Sequence, residues 1–491
     1  MICVSIGRGR HKQMMAEHRH LAEQGAELVE LRLDYIRRAV NLKRLLQNRP
    51  CPVVATCRRA QDGGQWEGTE EARQVLLRQA IVDGVDYVDL EEDIAGNVPR
   101  YGDTKRIISY HNFEETPENL AEIYTRMAAQ DADIIKIATM AHSTTDNMRV
   151  LDIMRGSEAP AIGVCMGDIG APTRILAGKF GAPFTYATFS NERSLAPGQL
   201  SYRQMTNIYD YDNITPKTDV FGVIADPVGH SLSPIVHNAA FRELKLDKTY
   251  VPFRVPREDL GTFLGQCRDL GVRGLSVTIP HKEEVVNYLD ESDEFVQGIG
   301  ACNTIVFDDD GRLHGYNTDC DSAVGSLIAT IGKNNVAGRT ALVLGSGGAA
   351  KAISYGLKSQ GADVTISGRN VEKSRELAVQ LECDILDWSD RHTAKCSLLV
   401  NCTPVGMHPN VEETPFNQNY LHRTTIVFDT VYNPEQTLLI KQARAQQCRT
   451  ITGVEMFVRQ AALQFKLFTD ADAPLDLMHQ QVKRVIGAAQ P

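Results

Sequence analysis

Lys136 stands between Ile135 and Ile137 in an apolar run, which is costly for an ammonium unless it is paired or used. A desolvated lysine more readily holds a neutral amine, and such an amine attacks ketones to form a Schiff base. His111 closes the run Ser-Tyr-His on the preceding apolar segment, where it could move protons for that chemistry. Glu30 and Arg32 in Glu-Leu-Arg-Leu-Asp, Arg58 after Thr-Cys, and Arg174 in the loop after a later run also sit at or beyond the ends of apolar segments. Three arginines so placed imply an anionic substrate such as a carboxylate. Read singly, Lys136 is a rim lysine and His111 a hydrogen-bonded core residue. Their convergence favours chemistry.

A second constellation lies further on. The run Gly274-Leu-Ser-Val-Thr278-Ile-Pro-His-Lys282 is β-like and ends in a lysine, and ACNTIV and GYNTDCD then bring Asn303, Asn317 and Asp319 near strand ends. Such residues are commonly Asx-turns and a solvated lysine. The chemical alternative pairs Lys282 with Asp319, because a lysine held by a carboxylate can protonate the alkoxide left by hydride transfer to a ketone. Upstream, Ser231-Leu-Ser233-Pro234 marks a helix start with Ser233 as its N-cap. Two hydroxyls at a helix N-terminus can also hold a carboxylate, and capping leaves Ser231 unexplained.

C-terminal to both constellations lies GRTALVLGSGGAAKAISYGLKSQGADVTISGR. Val343–Leu344 close an apolar strand, Gly345, Gly347 and Gly348 form a tight turn opening a helix, and a second strand spans Asp363–Ser367. This layout lays a dinucleotide pyrophosphate on a helix N-terminus. The acid that would take a ribose 2′-hydroxyl is missing; Arg369 stands there with Lys373 one turn on, which suits a 2′-phosphate and hence NADP. The bland alternative is an ordinary Gly-rich turn.

These residues need α/β scaffolds to position them. Before residue 205 eight strands are expected, at Ile2–Ile6, Leu28–Leu33, Val53–Cys57, Tyr87–Leu90, Arg106–Tyr110, Ile134–Ala138, Ile162–Met166 and Phe184–Phe189. Amphipathic stretches such as Glu70–Val82 and Pro117–Gln130 separate them. That alternation predicts a (β/α)8 TIM barrel, with an open doubly wound sheet as the alternative. A polar stretch over 210–218 reads as a linker. A net charge of −10 without a basic run argues against nucleic acid and anionic membranes as partners, and no apolar run reaches transmembrane length. Eleven cysteines without a C-x-x-C, several in apolar runs (Cys3, Cys57, Cys165), read as reduced core residues of a cytoplasmic protein, with no metal site. The start MICVSIGRGRHK has too short an apolar stretch for a signal peptide, and no transit-like leader is expected.

VELRLD, TCRRAQDGG, SYHNF, IIKIAT, TRILAGKFG and APGQL occur in the order seen in type I 3-dehydroquinate dehydratases, which the first 205 residues resemble. The resemblance implies that Lys136 forms an imine with the 3-keto group and that His111 shuttles protons. It also implies that Ser5, Glu30, Arg32, Arg58, Arg174 and Gln199 hold the substrate, Gln199 from a closing loop. Asp62 stands where the family has a glutamate acid–base partner of the histidine, and Leu195 where it has a serine. A slower dehydratase is therefore expected.

HSLSP, VTIPHK, ACNTI, YNTD, GSGGAA, NCTPVGM, FDTVYNP and GVEMFVRQAALQF are similar, in order, to shikimate dehydrogenases. This implies that Ser231, Ser233, Thr278, Asn303, Asn317, Tyr432 and Gln460 contact substrate, with Lys282 and Asp319 catalytic. Gly345, Ser346, Gly347, Gly348, Ala349, Arg369, Lys373, Asn401, Thr403, Val405, Gly453 and Met456 would line NADP in a Rossmann-like domain. The implied organisation is a dehydratase barrel over 1–209, a linker over 210–218, a shikimate-binding domain over 219–325 completed by 455–491, and an NADP domain over 326–454. The helical spacing of Val454, Phe457, Ala461 and Phe465 suits packing on that substrate domain. Joined, the halves would catalyse consecutive steps from 3-dehydroquinate to shikimate. Rival readings are a quinate-preferring second half, a non-catalytic metabolite-binding regulator, and an imine-forming aldolase. The oligomeric state is left open.

Overall fold

A computed structural model describes residues 1–332 and 336–488. Small parts of two expected domains, 333–335 and 489–491, lie outside the described residues. The chain separates into two compact units: the first holds Met1–Val220, Asp226–Ser231 and Asp247–Gly271, the second Phe221–Ala225, Leu232–Leu246 and Val272 onward.

All eight expected strands of the first unit form: β1 Ile2–Ile6, β2 Leu28–Arg32, β3 Val53–Thr56, β4 Tyr87–Glu91, β5 Lys105–Asn112, β6 Ile134–Met140, β7 Ala161–Met166 and β8 Thr185–Thr188. They pair in parallel in the order β7-β6-β5-β4-β3-β2-β1-β8. Because β1 lies beside β8, the sheet curls back on itself, which rules out the open doubly wound alternative. Among the described residues no ladder joins β7 to β8, so the barrel is near-closed. β5 runs two residues past its expected end and carries His111 into the ladder opposite Ala138, while Lys136 pairs with Ser109. With a side-chain period of two, this register turns Lys136 and His111 to the same face.

The crossover helix Glu70–Val82 has its expected bounds; the Thr69 side chain caps it, and Leu77, Ala80 and Ile81 are buried. The helix expected over Pro117–Gln130 shortens to Leu120–Ala128 behind a turn. The polar stretch 210–218 is packed, with Tyr211 buried, the N-terminal ammonium 2.8 Å from Asp212 and Lys179 Nζ donating to the Thr218 carbonyl at 2.8 Å.

Beyond β9 (Asp219–Ala225), the first unit also takes in β10 (Lys248–Arg254) and the helix Leu260–Leu270. This segment meets the barrel helix Thr144–Gly156: the Thr144 N–H donates to Asp259 Oδ2 at 2.9 Å, and Gln266 Nε2 to Thr145 Oγ1 at 3.1 Å. Phe253 and Phe263 share a small cavity with Met148, Leu151 and Pro172 there.

In the second unit β9, β11 (Val272–Val277), β13 (Thr304–Phe307), β14 (Leu313–Tyr316) and β12 (Glu291–Ser292) lie side by side in that order. A separate all-parallel sheet follows, made of β15 (Thr340–Leu344), β16 (Asp363–Ser367), β17 (Asp384–Ile385), β18 (Leu398–Asn401), β19 (Ile426–Asp429) and β20 (Arg449–Ile451). Its order, β17-β16-β15-β18-β19-β20, is that of a dinucleotide-binding Rossmann sheet, and it reverses at β15 and β18. The helix Gly453–Thr469 buries Val454, Ala461 and Phe465 against the helices Thr318–Ile331 and Ser233–Glu243, as its spacing predicts, while Phe457 stays half-buried against Tyr432. One cap differs from expectation. Ser233 is the first residue of its helix and Leu232, already in the αR region, holds the cap position. Among the described residues no helix is long and apolar enough to cross a membrane.

Candidate active sites

The barrel gathers its predicted residues at one cavity. Ser5, Glu30, Arg32, Arg58, Asp62, His111, Lys136, Arg174 and Gln199 all line it. Lys136 Nζ lies 3.1 Å from Asp89 Oδ2, 4.0 Å from Glu30 Oε1, and 4.1 Å over the Tyr186 ring. Glu30 is fixed in turn by the Ser5 hydroxyl at 2.5 Å and the Thr56 hydroxyl at 2.8 Å. Asp89 accepts from Arg58 at 2.7 Å and from the Ser109 hydroxyl at 2.6 Å. Burial pushes the Asp89 carboxyl up, but Arg58 and Lys136 beside it overcome this and hold it well below the usual carboxylate range.

Two of the three arginines read as substrate cations already have anions. Arg32 forks onto Asp34 at 2.9 and 3.0 Å, and Arg58 is shared by Asp89 and Glu91. All three line the cavity, but the pairs on Arg32 and Arg58 neutralise those guanidiniums in place. Arg174 differs: it is buried, and among the described residues its Nε has no hydrogen-bond partner and its Nη2 reaches the Pro197 carbonyl alone, at 3.4 Å. Burial lowers its pKa to about 10. A desolvated guanidinium with no acid beside it among the described residues suits a carboxylate.

Burial, reinforced by Arg58 and Lys136, drives the His111 imidazole well below its ordinary pKa, so it is neutral, and its Nδ1 lacks a partner. Asp62 lines the cavity, but its carboxylate is taken by Arg59 Nε at 2.6 Å. Asp89 and Tyr186 were not singled out from sequence. Asp89 lies between Val88 and Leu90, the same flanking that marks Lys136.

In the second unit Lys282 Nζ is 2.6 Å from Asp319 Oδ2. Asp319 is held in the first turn of the helix Thr318–Ile331, which Asn317 caps while its amide donates to the Ala301 carbonyl at 2.8 Å. Asn303 accepts from the Thr318 N–H at 2.8 Å, and Gln460 reaches the Thr318 hydroxyl at 3.4 Å. Thr278 is half-buried, its N–H donating to the Ile224 carbonyl. Tyr432 packs on Phe457, one residue after Met456 on the helix that Gly453 opens. Ser233 is buried, and Ser231 falls in the first unit's segment Asp226–Ser231.

The glycine turn follows β15 at the reversal point. Gly345 has φ +118°, a region that disfavours other residues, and a Cβ there would sit 3.1 Å from the Cys402 carbonyl oxygen. Ser346 is half-buried, and Gly347 is the cap of the helix Gly348–Ser359, whose second residue is Ala349. A Cβ on Gly348 would lie 3.6 Å from Lys282 Cδ, so the turn and Lys282 are neighbours. After β18, Asn401 Oδ1 accepts from the Thr403 N–H and hydroxyl, and its amide donates to the Val405 carbonyl and to Asp429. Asp429 is unpredicted; burial raises its pKa to about 6. Arg369 and Lys373 are exposed, with no acid paired to either among the described residues. Open helix N-terminus, backbone-lined turn and free cations together fit an NADP pyrophosphate and 2′-phosphate.

Family models match three stretches: Type I 3-dehydroquinase over 2–216, Shikimate dehydrogenase substrate binding domain over 223–305, and Shikimate 5'-dehydrogenase C-terminal domain over 453–483. A bifunctional 3-dehydroquinate dehydratase/shikimate dehydrogenase, chloroplastic, of Arabidopsis thaliana is 37% identical over 98% of this chain and 84% of its own length. A shikimate dehydrogenase (NADP(+)) of Methanothermobacter thermautotrophicus is 42% identical over 56% of this chain and 99% of its own. The crystal structure of shikimate 5-dehydrogenase from Thermus thermophilus with NADP(H) and shikimate aligns with a TM-score of 0.50 and 32% identity, over 54% of this chain and 99% of that one.

Proposed function

This chain belongs to the bifunctional 3-dehydroquinate dehydratase/shikimate dehydrogenases, and from that premise we propose how its residues perform each step. It dehydrates 3-dehydroquinate to 3-dehydroshikimate and reduces that product to shikimate with NADPH, as consecutive steps of the shikimate pathway. In the barrel, Arg174 takes the substrate carboxylate. Lys136 Nζ attacks the 3-keto carbon, and the carbinolamine loses water to give an imine. His111, kept neutral by burial, removes a proton from the carbon beside the imine carbon. The electrons expel the β-hydroxyl, which leaves as water with a proton returned by the histidine. Hydrolysis then frees Lys136. Glu30, held by Ser5 and Thr56, and Arg32 and Arg58, held by their own acids, orient the ring hydroxyls, and Gln199 closes over them.

In the second half NADPH, when bound, supplies the hydride. Lys282 gives a proton to the carbonyl oxygen as it gains charge, and Asp319 at 2.6 Å keeps that lysine oriented. Ser231, Ser233, Thr278, Asn303, Asn317, Tyr432 and Gln460 bind shikimate. Gly345 to Ala349 hold the pyrophosphate and Arg369 with Lys373 the 2′-phosphate, while Asn401, Thr403, Val405, Gly453 and Met456 line the rest. We assign 1–209 to the dehydratase, 219–325 with 455–491 to shikimate binding, and 326–454 to NADP; the matched stretches 2–216, 223–305 and 453–483 support this division. Partners are small molecules and the compartment is the cytoplasm, a reading supported by eleven unpaired cysteines and by the absence of a basic run.

The observation that carries the reading is Lys136, buried among Asp89, Glu30 and Tyr186 in a cavity that also holds a neutral His111 and an unpaired Arg174. Protein given 3-dehydroquinate and NADPH should yield shikimate with matching NADPH loss, read by chromatography and absorbance. Quinate as product would reassign the second half, and no product would return the chain to a metabolite-binding role.

A further inference from the structure

We propose that Arg193 and Glu17 form a latch holding the segment Ser190–Gln199 closed over the barrel cavity, making Arg193 a positioning residue for the dehydration. The segment supplies three cavity residues, Leu195, Ala196 and Gln199. It is folded on itself: Gln199 Oε1 accepts from the Leu195 N–H at 2.7 Å and the Ala196 N–H at 3.2 Å, and the Ser194 hydroxyl donates to the Ala196 carbonyl at 2.6 Å. Such a unit moves as a body, so its position depends on its two attachments.

The far attachment is backbone. The Gly167 N–H donates to the Pro197 carbonyl at 3.3 Å, and a Cβ on Gly198 (φ +72°) would come within 2.4 Å of the Gly167 carbonyl oxygen. The near attachment is made by two side chains, of which only Arg193 reaches from the segment to another element. Thr188 Oγ1 donates to the Arg193 carbonyl at 2.6 Å, and the Arg193 guanidinium both bonds Glu17 and stacks 4.7 Å from the Phe189 ring centre. Glu17 belongs to the helix His11–Glu23, is largely buried, and is also bonded by Arg8. A carboxylate taken out of water between two guanidiniums binds each more strongly than a solvated pair does. Arg193 itself is two-fifths exposed, so truncating it opens no core cavity, and Arg8 still neutralises Glu17. The loss is then confined to closure.

The inference rests on the barrel cavity being the dehydratase site. Arg193→Ala should raise KM for 3-dehydroquinate about five- to tenfold with kcat changed less. It should also speed thermolysin cleavage before Leu195 and raise the concentration of substrate needed to protect that bond. Arg193→Lys should restore part of each effect, and Glu17→Gln should copy Arg193→Ala. Shikimate oxidation by the same full-length variants, unchanged, reports intact folding. Wild-type KM and cleavage rate in Arg193→Ala, alongside loss of dehydration in Lys136→Ala, would overturn the latch while leaving the site assignment standing. Full dehydration by Lys136→Ala would instead overturn the assignment beneath it.

Discussion

The two lysines proposed as catalytic are built differently. Lys136 has a side chain 9% exposed and is surrounded by two carboxylates and an aromatic face, with Arg58, Ser109, Ser5 and Thr56 fixing those acids from behind. Lys282 is 19% exposed and has one carboxylate. The contrast follows the chemistry. A nucleophile must meet one carbon from one direction, and the amine has to be placed and desolvated by a network no single pair could supply. A proton donor needs only reach, and a route by which the proton returns.

The strongest test of this contrast is a crossover. Lys136→Ala should cut dehydration on the order of 10^4-fold or more, remove the borohydride-trapped adduct and spare shikimate oxidation. Lys282→Ala should do the reverse, costing about 10^2- to 10^4-fold in reduction alone. Asp89→Asn probes the network: it leaves Lys136 and Arg58 sharing fewer anions in the interior, and should cost roughly 10^2-fold in dehydration and about 3 kcal/mol of stability by denaturant titration. No Lys282 neighbour change in the second unit should cost comparable stability. Arg369→Ala should raise KM for NADPH about tenfold and leave that for NADH nearly unchanged, because only one cofactor carries the 2′-phosphate. Asp62→Glu should speed dehydration only a few-fold; an unchanged or lower kcat would show that the shorter acid is not limiting.

The mildest test is of pH. Burial lowers the folded His111 pKa, so below the ordinary value of about 6.5 the unfolded chain takes up a proton that the folded one refuses. The stability it contributes is thus full above that pH and is lost as pH falls through it. Because the imidazole stays neutral in the fold, kcat/KM for dehydration should show no inflection near 6.5. A limb there would mean that His111 titrates normally.

Much of this was legible in the chain. Apolar alternation located all eight barrel strands, and a charged residue inside such a run located Lys136. Asp89 carries the same mark, but its partners come from other strands. The pairing of Arg58 with Glu91, 33 residues apart, depends on which strands become neighbours, and no local pattern encodes that. The same holds for Tyr186, whose place over Lys136 Nζ is visible only once the sheet curls and brings β8 near β6. Ser233 misled as a cap because Leu232 continues the turn one residue earlier. In the Rossmann sheet the glycine turn and Arg369 were readable because that site is nearly local, whereas Asp429 reaches Asn401 across adjacent strands.

Asp259 accepts a hydrogen bond from the first amide of a barrel helix 115 residues upstream, and Gln266 and the Phe253–Phe263 pair join the same seam. For evolution this makes the fusion more than a shared message. A homologous dehydratase spliced in at the 210–218 stretch would bring a helix face that never matched Asp247–Gly271. Exchange between lineages is therefore expected to succeed when seam and barrel travel together, and shuffled halves should survive only after compensating changes on both sides of that contact.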